Sequence, residues 1–233
     1  MSILTELSLR ELAGARICVR VGFMKTLLLV GATGLVGREV VRQALADQTI
    51  ERVVALTRRP LELRHLRLEN HVVDFAALPT DAPWWNVDAV ICALGTTMRQ
   101  AGSRAAFRKV DHDYVLAVAR RARAHGAEVF ALTSSLGAKA SSGNFYLRTK
   151  GETERDLAAE GFASLTCVRP ALIGGLREEQ RRAEAFGLKV VALLAPVLPR
   201  RYRIAPAERI AARLLAAVRA AQSGVRVVES EAI

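Results

Sequence analysis

Leu27 to Gly37 reads LLLVGATGLVG, an apolar run that breaks into glycines at positions 31, 34 and 37, and the fold is decided by what this stretch must do. Leu27 to Val30 is continuous in its apolarity, as a strand is when both faces of a parallel sheet are covered. Gly31 permits the tight turn out of that strand. Gly34 removes the Cβ that would hold a pyrophosphate away from the backbone, and Gly37 lets the next helix pack closely on the strand. Val40, Val41, Ala44 and Leu45 then recur at helical spacing. The helix start offers unpaired N–H groups and the positive end of a dipole to phosphates. Strand, glycine turn and helix together predict dinucleotide binding.

Outward from this stretch, the 233 residues, 51% of them hydrophobic, suit one α/β domain with a sizeable core. No apolar run reaches membrane-spanning length, so membrane insertion is not expected. Residues 1–23 lack the pattern of a secretory signal and do not read as a fold element. Met24 stands directly before Lys25 and the first strand. The expected division is therefore a leader, 1–23, flexible or not native, and a single domain, 24–233.

The cysteines, Cys18, Cys92 and Cys167, have no metal or redox spacing and read as small residues in a reducing cytoplasm. His65, His71, His112 and His125 form no ligand pair, so no metal site is expected. The net charge of +11 comes mostly from arginines scattered over helix faces, such as Arg120, Arg121 and Arg123. Without interleaved aromatics or a recognition motif, this pattern reads as a solvated surface rather than a nucleic-acid site. Part of it should serve an anionic cofactor.

Arg52 to Thr57, RVVALT, reads as the second strand, followed by Arg58 and Arg59. In an NAD site, an acidic side chain about 20 residues past the glycines holds the ribose 2′-hydroxyl. Here a guanidinium takes that place and can bind a 2′-phosphate through charge-assisted hydrogen bonds. The expectation is NADP(H) in preference to NAD(H), with Arg58 as the contact. His71 to Asp74, HVVD, reads as a third strand; Asp74 with Phe75 either borders the adenine or caps a loop. Val87 to Leu94 reads as a fourth strand ending at Gly95, where backbone can approach a ligand. Met98 to Arg104 reads as a mobile loop, and Phe107 to His125 as one long amphipathic helix stopped by Gly126.

Val129 to Thr133 reads as the fifth strand and runs into Ser134 and Ser135, with Tyr146 and Lys150 following in YLRTK. Tyr and Lys at i and i+4 share a helix face. An ammonium beside a phenol favours the phenolate, so Tyr146 is a candidate general acid or base toward a carbonyl or hydroxyl. Ser135 or Ser134 would bind the substrate oxygen, and Lys150 would also hold the nicotinamide ribose. Beyond Ile173, a polar stretch and the apolar run Leu188 to Leu198 read as a substrate cap. Ala207 to Ala221 then reads as a closing helix and Val225 to Val228 as a last strand.

GATGLVG, the strand ending in TSS, and TSSLGAKASSGNFYLRTKGETE together resemble the short-chain dehydrogenase/reductase superfamily. They look most like its atypical branch, in the group of TIP30-like NAD(P)-binding oxidoreductases, over roughly Met24 to Ile233. The resemblance implies a doubly wound parallel Rossmann sheet with a small C-terminal cap. It also implies a cofactor loop of Gly31, Thr33, Gly34, Leu35 and Gly37, a 2′-phosphate contact at Arg58 and an adenine contact at Asp74. Ala93, Leu94 and Gly95 would border the ribose, and Pro170 and Ile173 the nicotinamide carboxamide. Tyr146 and Lys150 match the catalytic pair. The serine lies slightly closer to Tyr146 than in commoner members, so Ser134 and Ser135 both stay open. The expected function is an NADP-dependent oxidoreductase acting on a small carbonyl or alcohol, as monomer or homodimer. The alternative is an NADP(H)-binding regulator of a protein partner without turnover.

Overall fold

The computed structural model describes residues 25–174 and 204–233. The expected leader and most of the expected cap, including the run Leu188 to Leu198, lie outside the described residues.

The strands are β1 (Thr26–Val30), β2 (Arg52–Thr57), β3 (Leu68–Val72), β4 (Ala89–Cys92), β5 (Val129–Thr133), β6 (Ser164–Arg169) and β9 (Gly224–Glu229), which form one seven-stranded sheet in the order β3-β2-β1-β4-β5-β6-β9. Every pairing in it is parallel. Two short strands, β7 (Leu172–Gly174) and β8 (Ile204–Pro206), pair separately where the chain leaves and re-enters the described residues. The helices are α1 (Leu35–Ala46), α2 (Met98–Ala101), α3 (Arg104–Arg108), α4 (Tyr114–Ala124), α5 (Phe145–Ala159) and α6 (Ala207–Ala220).

The apolar run that opens the domain explains why the sheet is covered on both sides. Leu28 and Val30 belong to a core with Leu56, Trp85, Val115, Val118 and Leu157. Leu27 and Leu29 belong to a second core with Val40 of α1 and Ile210 and Leu214 of α6. Side chains alternate across a strand, so consecutive leucines feed opposite cores. The doubly wound parallel Rossmann architecture follows.

Several elements differ from the sequence reading. The third strand is Leu68–Val72, three residues earlier than HVVD. It is the half-exposed sheet edge, and Asn70 anchors it, donating from Nδ2 to Ala55 O at 3.0 Å and Thr57 Oγ1 at 2.8 Å. Residues 98–101 form the short helix α2 rather than loop, with Thr97 Oγ1 accepting from Gln100 N at its start. The long helix is interrupted: α3 passes through a π-helical turn, Lys109–Asp113, into α4. The fourth strand is shorter than expected, Ala89–Cys92.

Candidate functional site

A parallel sheet puts every strand's carboxyl end on one edge. That edge carries the predicted residues: Gly31 after β1, Arg58 after β2, Gly95 after β4, Ser134 and Ser135 after β5, and Pro170 after β6. The strand order reverses between β1 and β4, where ligands bind in open α/β sheets.

At that switch point the glycine loop is built around close backbone approaches. A Cβ on Gly31, whose φ is +88°, would lie 2.4 Å from Ala93 O, and one on Gly37 would lie 2.0 Å from Gly31 O. These two glycines lock the loop to β4 and α1. Gly34 differs, because a Cβ there would meet only Gly31 O, at 3.3 Å, leaving its outer side open. Gly34 is also the N-cap of α1, with no side-chain cap and no acidic residue in the first turn. The amides of that turn are therefore left for an anion. Thr33 is exposed and Leu35 half-buried beside them. The loop fits a dinucleotide pyrophosphate.

Arg58 and Arg59 are exposed at the end of β2, and neither pairs with a carboxylate among the described residues. Val73 N donates to Thr57 O at 2.9 Å, so Asp74 begins the turn beside them. Asp74 Oδ1 accepts from Ala76 N at 2.8 Å, which is the loop-capping geometry. Phe75 is buried in the core with its ring 5.7 Å from that of Tyr114.

Past β4, Ala93 N donates to Val30 O at 2.9 Å, and Ala93 and Leu94 lie half-buried against the glycine loop. Gly95 then faces two charged groups: a Cβ there would lie 3.6 Å from Asp111 Oδ1 and 3.9 Å from Lys150 Nζ. These two form a buried ion pair at 2.8 Å. Thr96 N donates to Asp111 Oδ2 at 2.9 Å. Burial alone would push the Lys150 ammonium down. The charges of Asp111 and Tyr146 and the hydrogen bond to Asp111 outweigh it, and Lys150 is held above its ordinary range. Cys92, fully buried nearby, is pushed up to about 12 by burial and is an unreactive thiol.

Tyr146 and Lys150 lie one turn apart on α5, whose start is capped by Asn144 Oδ1 accepting from Leu147 N. Tyr146 is half-buried, its ring 5.4 Å from that of Phe107. Ser134 and Ser135 are both buried at the end of β5. Ser134 Oγ has no hydrogen-bond partner among the described residues, while Ser135 Oγ makes only a 3.5 Å contact to Leu136 O. Neither hydroxyl is bonded to Tyr146 in this state. Pro170 is buried, its carbonyl accepting from Leu136 N at 2.9 Å, which ties the turns after β5 and β6 together. Ile173 is 42% exposed in β7.

Asp111 is the site residue that sequence reasoning missed. Its signal was a carboxylate in line with Val115, Val118 and Ala122, on the buried stripe of the long helical pattern. The π-helical turn and the bond from Thr153 Oγ1 to Asp111 O, 2.9 Å, hold it there.

A comparison with protein families matches residues 31–189 to the family described as NAD(P)H-binding. The chain belongs to that family. Among curated proteins, HTATIP2 of Rattus norvegicus is 32% identical over 213 residues, covering 90% of this chain and 88% of that protein. The mitochondrial protein fmp52 of Emericella nidulans is 35% identical over 171 residues, covering 70% and 72%. Together these place this NAD(P)H-binding chain with HTATIP2 and the fmp52 proteins. Among solved structures, a short-chain dehydrogenase/reductase family oxidoreductase from Burkholderia thailandensis has a TM-score of 0.64 at 21% identity, covering 90% of this chain and 92% of that one. MoeE5 in complex with UDP-glucose and NAD has a TM-score of 0.66 at 16% identity, covering 87% and 74%. At such identities the structural likeness concerns the fold.

Proposed function

We propose that this protein is an NADP-dependent reductase or dehydrogenase acting on a small carbonyl or alcohol, with Tyr146 as general acid or base. The observation that carries the reading is a buried, charged Lys150 one helical turn from Tyr146, at the sheet edge where the glycine loop opens. A structural lysine has no need of such burial beside a phenol, and buried ionisable clusters mark functional sites.

In this reading the first-turn amides of α1, with Thr33 and Leu35, hold the pyrophosphate, and Arg58 holds a 2′-phosphate. Asp74 lies at the adenine side, and Ala93, Leu94 and Gly95 at the ribose. Pro170 and Ile173 border the nicotinamide, which when bound supplies or accepts the hydride. Lys150 holds the nicotinamide ribose. One of Ser134 and Ser135 binds the substrate oxygen, and the unpartnered Ser134 hydroxyl favours position 134. The buried free cysteines Cys92 and Cys167 support a reducing compartment, taken here as the cytoplasm. Fractionation of the native host tests this against the mitochondrial location carried in the names of the fungal relatives.

The deciding experiment is a fluorescence titration with NADPH and NADH, followed by a carbonyl panel with Tyr146→Phe as control. Tighter NADPH binding and oxidation lost in Tyr146→Phe, with cofactor affinity kept within about threefold, is the expected result. Tight binding without turnover of any carbonyl would point instead to the regulatory protein.

A further inference from the structure

Two stretches of sequence flank Tyr146, and both are free of acid. Residues 89–110, from β4 to the π-helical turn, and residues 129–151, from β5 into α5, contain no Asp or Glu but hold seven Arg and Lys between them. Two of these are neutralised from outside the stretches: Arg108 pairs with Glu152, and Lys150 with Asp111. Arg104 and Arg148 meet no carboxylate among the described residues. Instead, both guanidiniums lie against one ring. Arg104 Cζ, on the first residue of α3, is 5.3 Å from the centre of the Phe145 ring, and Arg148 Cζ, one turn along α5, is 5.7 Å from it. Phe145 directly precedes Tyr146, and the buried Phe107 touches both, with ring centres 5.9 Å and 5.4 Å away. Arg104 is therefore seated beside the Tyr146 ring, and Ser103 Oγ fixes the start of its helix by accepting from Ala106 N at 3.1 Å. Helix stability does not account for this residue, because the dipole at a helix start favours an acid over a cation. A guanidinium laid over an aromatic ring uses its face there and keeps its N–H edge for another partner. Arg148 gives part of that edge to Ser142 O at 2.9 Å and Gly143 O at 3.3 Å. Arg104 is exposed, and its edge stays open among the described residues.

We infer that Arg104, seated on Phe145 and reinforced by the charge of Arg148, is a specificity-determining residue, and that the substrate is a carbonyl compound carrying an anionic group, a carboxylate or a phosphate, on the α3 side of Tyr146. The inference rests on reading Tyr146 as the proton-transfer group and names the class of compound that this group acts on. The anionic group is held and not transformed. A planar fork of N–H donors matches two oxygens of such a group, and neither flanking stretch brings a like charge to repel it.

The test compares matched carbonyl compounds in the presence of NADPH: levulinate and para-formylbenzoate against their methyl esters, and glycolaldehyde phosphate against glycolaldehyde. In at least one pair the wild type should favour the charged member by about tenfold or more in kcat/KM, and the pair that does so tells carboxylate from phosphate. Arg104→Met should cut that preference by about tenfold, chiefly by raising KM for the charged member, and Arg104→Lys should recover part of it. Equal losses on both members would show that Arg104 only holds α3 in place and would overturn the inference, as would a wild type indifferent to charge. Should Arg104→Met fail to fold, Arg148→Met decides: a fall in the preference of about threefold supports the inference, and an unchanged preference refutes it. If no pair is turned over, calorimetric titration of the charged members into NADPH-loaded protein separates the two readings. Binding that Arg104→Met weakens by about tenfold sinks the reductase and keeps the anion site. No binding, or binding that the variant leaves unchanged, removes the anion site.

Discussion

Arg58 and Asp74 follow neighbouring parallel strands at the same sheet edge, since Thr57 pairs with Val72 and Val73 N reaches back to Thr57 O. The two side chains are not equivalent candidates there. Asp74 spends one carboxylate oxygen on Ala76 N, whereas Arg58 is exposed and unpaired among the described residues. A doubly charged 2′-phosphate gains from a guanidinium and is repelled by a carboxylate, with charge-assisted hydrogen bonds contributing about 1.5–3 kcal/mol each. Arg58→Glu should therefore lower the NADPH-to-NADH affinity ratio by roughly ten- to a hundredfold, measured by fluorescence titration of both nucleotides. An unchanged ratio would remove Arg58 from the phosphate site. The glycine loop was readable at this scale because each glycine answers a separate steric demand. Asp111 was not, because a helical repeat shows that a position faces inward but not that a lysine 39 residues later arrives beside it.

The elements divide according to how strongly burial constrains them. β2 and β5 lie exactly where their apolar runs lie, since strands covered on both faces leave no other reading. β3 was misplaced because the edge strand LENHV carries little apolar signal, and its register depends on one asparagine side chain. The π-helical turn was equally invisible, because one extra residue in a helix barely disturbs its pattern. Helix α5 supplies the test at this scale. Gly151 sits mid-helix beside Lys150, and a Cβ there would lie 2.2 Å from Lys139 C and 2.3 Å from Ala140 N. Helix propensity alone would make Gly151→Ala stabilising by about 1 kcal/mol. The backbone of the loop that follows Ser135 cannot yield so cheaply, and overpacking costs about 1–3 kcal/mol. A net destabilisation in urea unfolding, with weakened cofactor binding as α5 moves off that loop, is the expected result. A variant as stable as wild type would show that the loop adapts.

Across the whole molecule, the last strand is joined to the rest by more than its ladder. Arg169 at the end of β6 donates from Nε to Glu154 Oε1 of α5 at 2.9 Å and from Nη1 to Glu229 Oε1 of β9 at 2.8 Å, with a further 2.5 Å bond to Glu154 Oε2. Hydrogen bonding to Glu154 leads the interactions that hold the guanidinium above its ordinary range, despite its partial burial. One side chain thus fastens the helix bearing Tyr146 and Lys150 to the carboxyl edge of the sheet and to the C-terminal strand. Arg169→Met keeps most of the volume but strands Glu154, whose side chain is only 10% exposed, without its partner. Breaking a buried pair by removing one member costs about 3 kcal/mol or more, which in a domain of this size lowers the melting temperature by roughly 6–12 °C. Most of that loss belongs to the abandoned carboxylate rather than to the pair itself, so adding Glu154→Gln to Arg169→Met should recover more than half of it. Thermal unfolding of both variants checks the argument. A single variant melting within about 2 °C of wild type would mean that solvent reaches Glu154 and that the ladder of β6 with β9 holds the strand unaided.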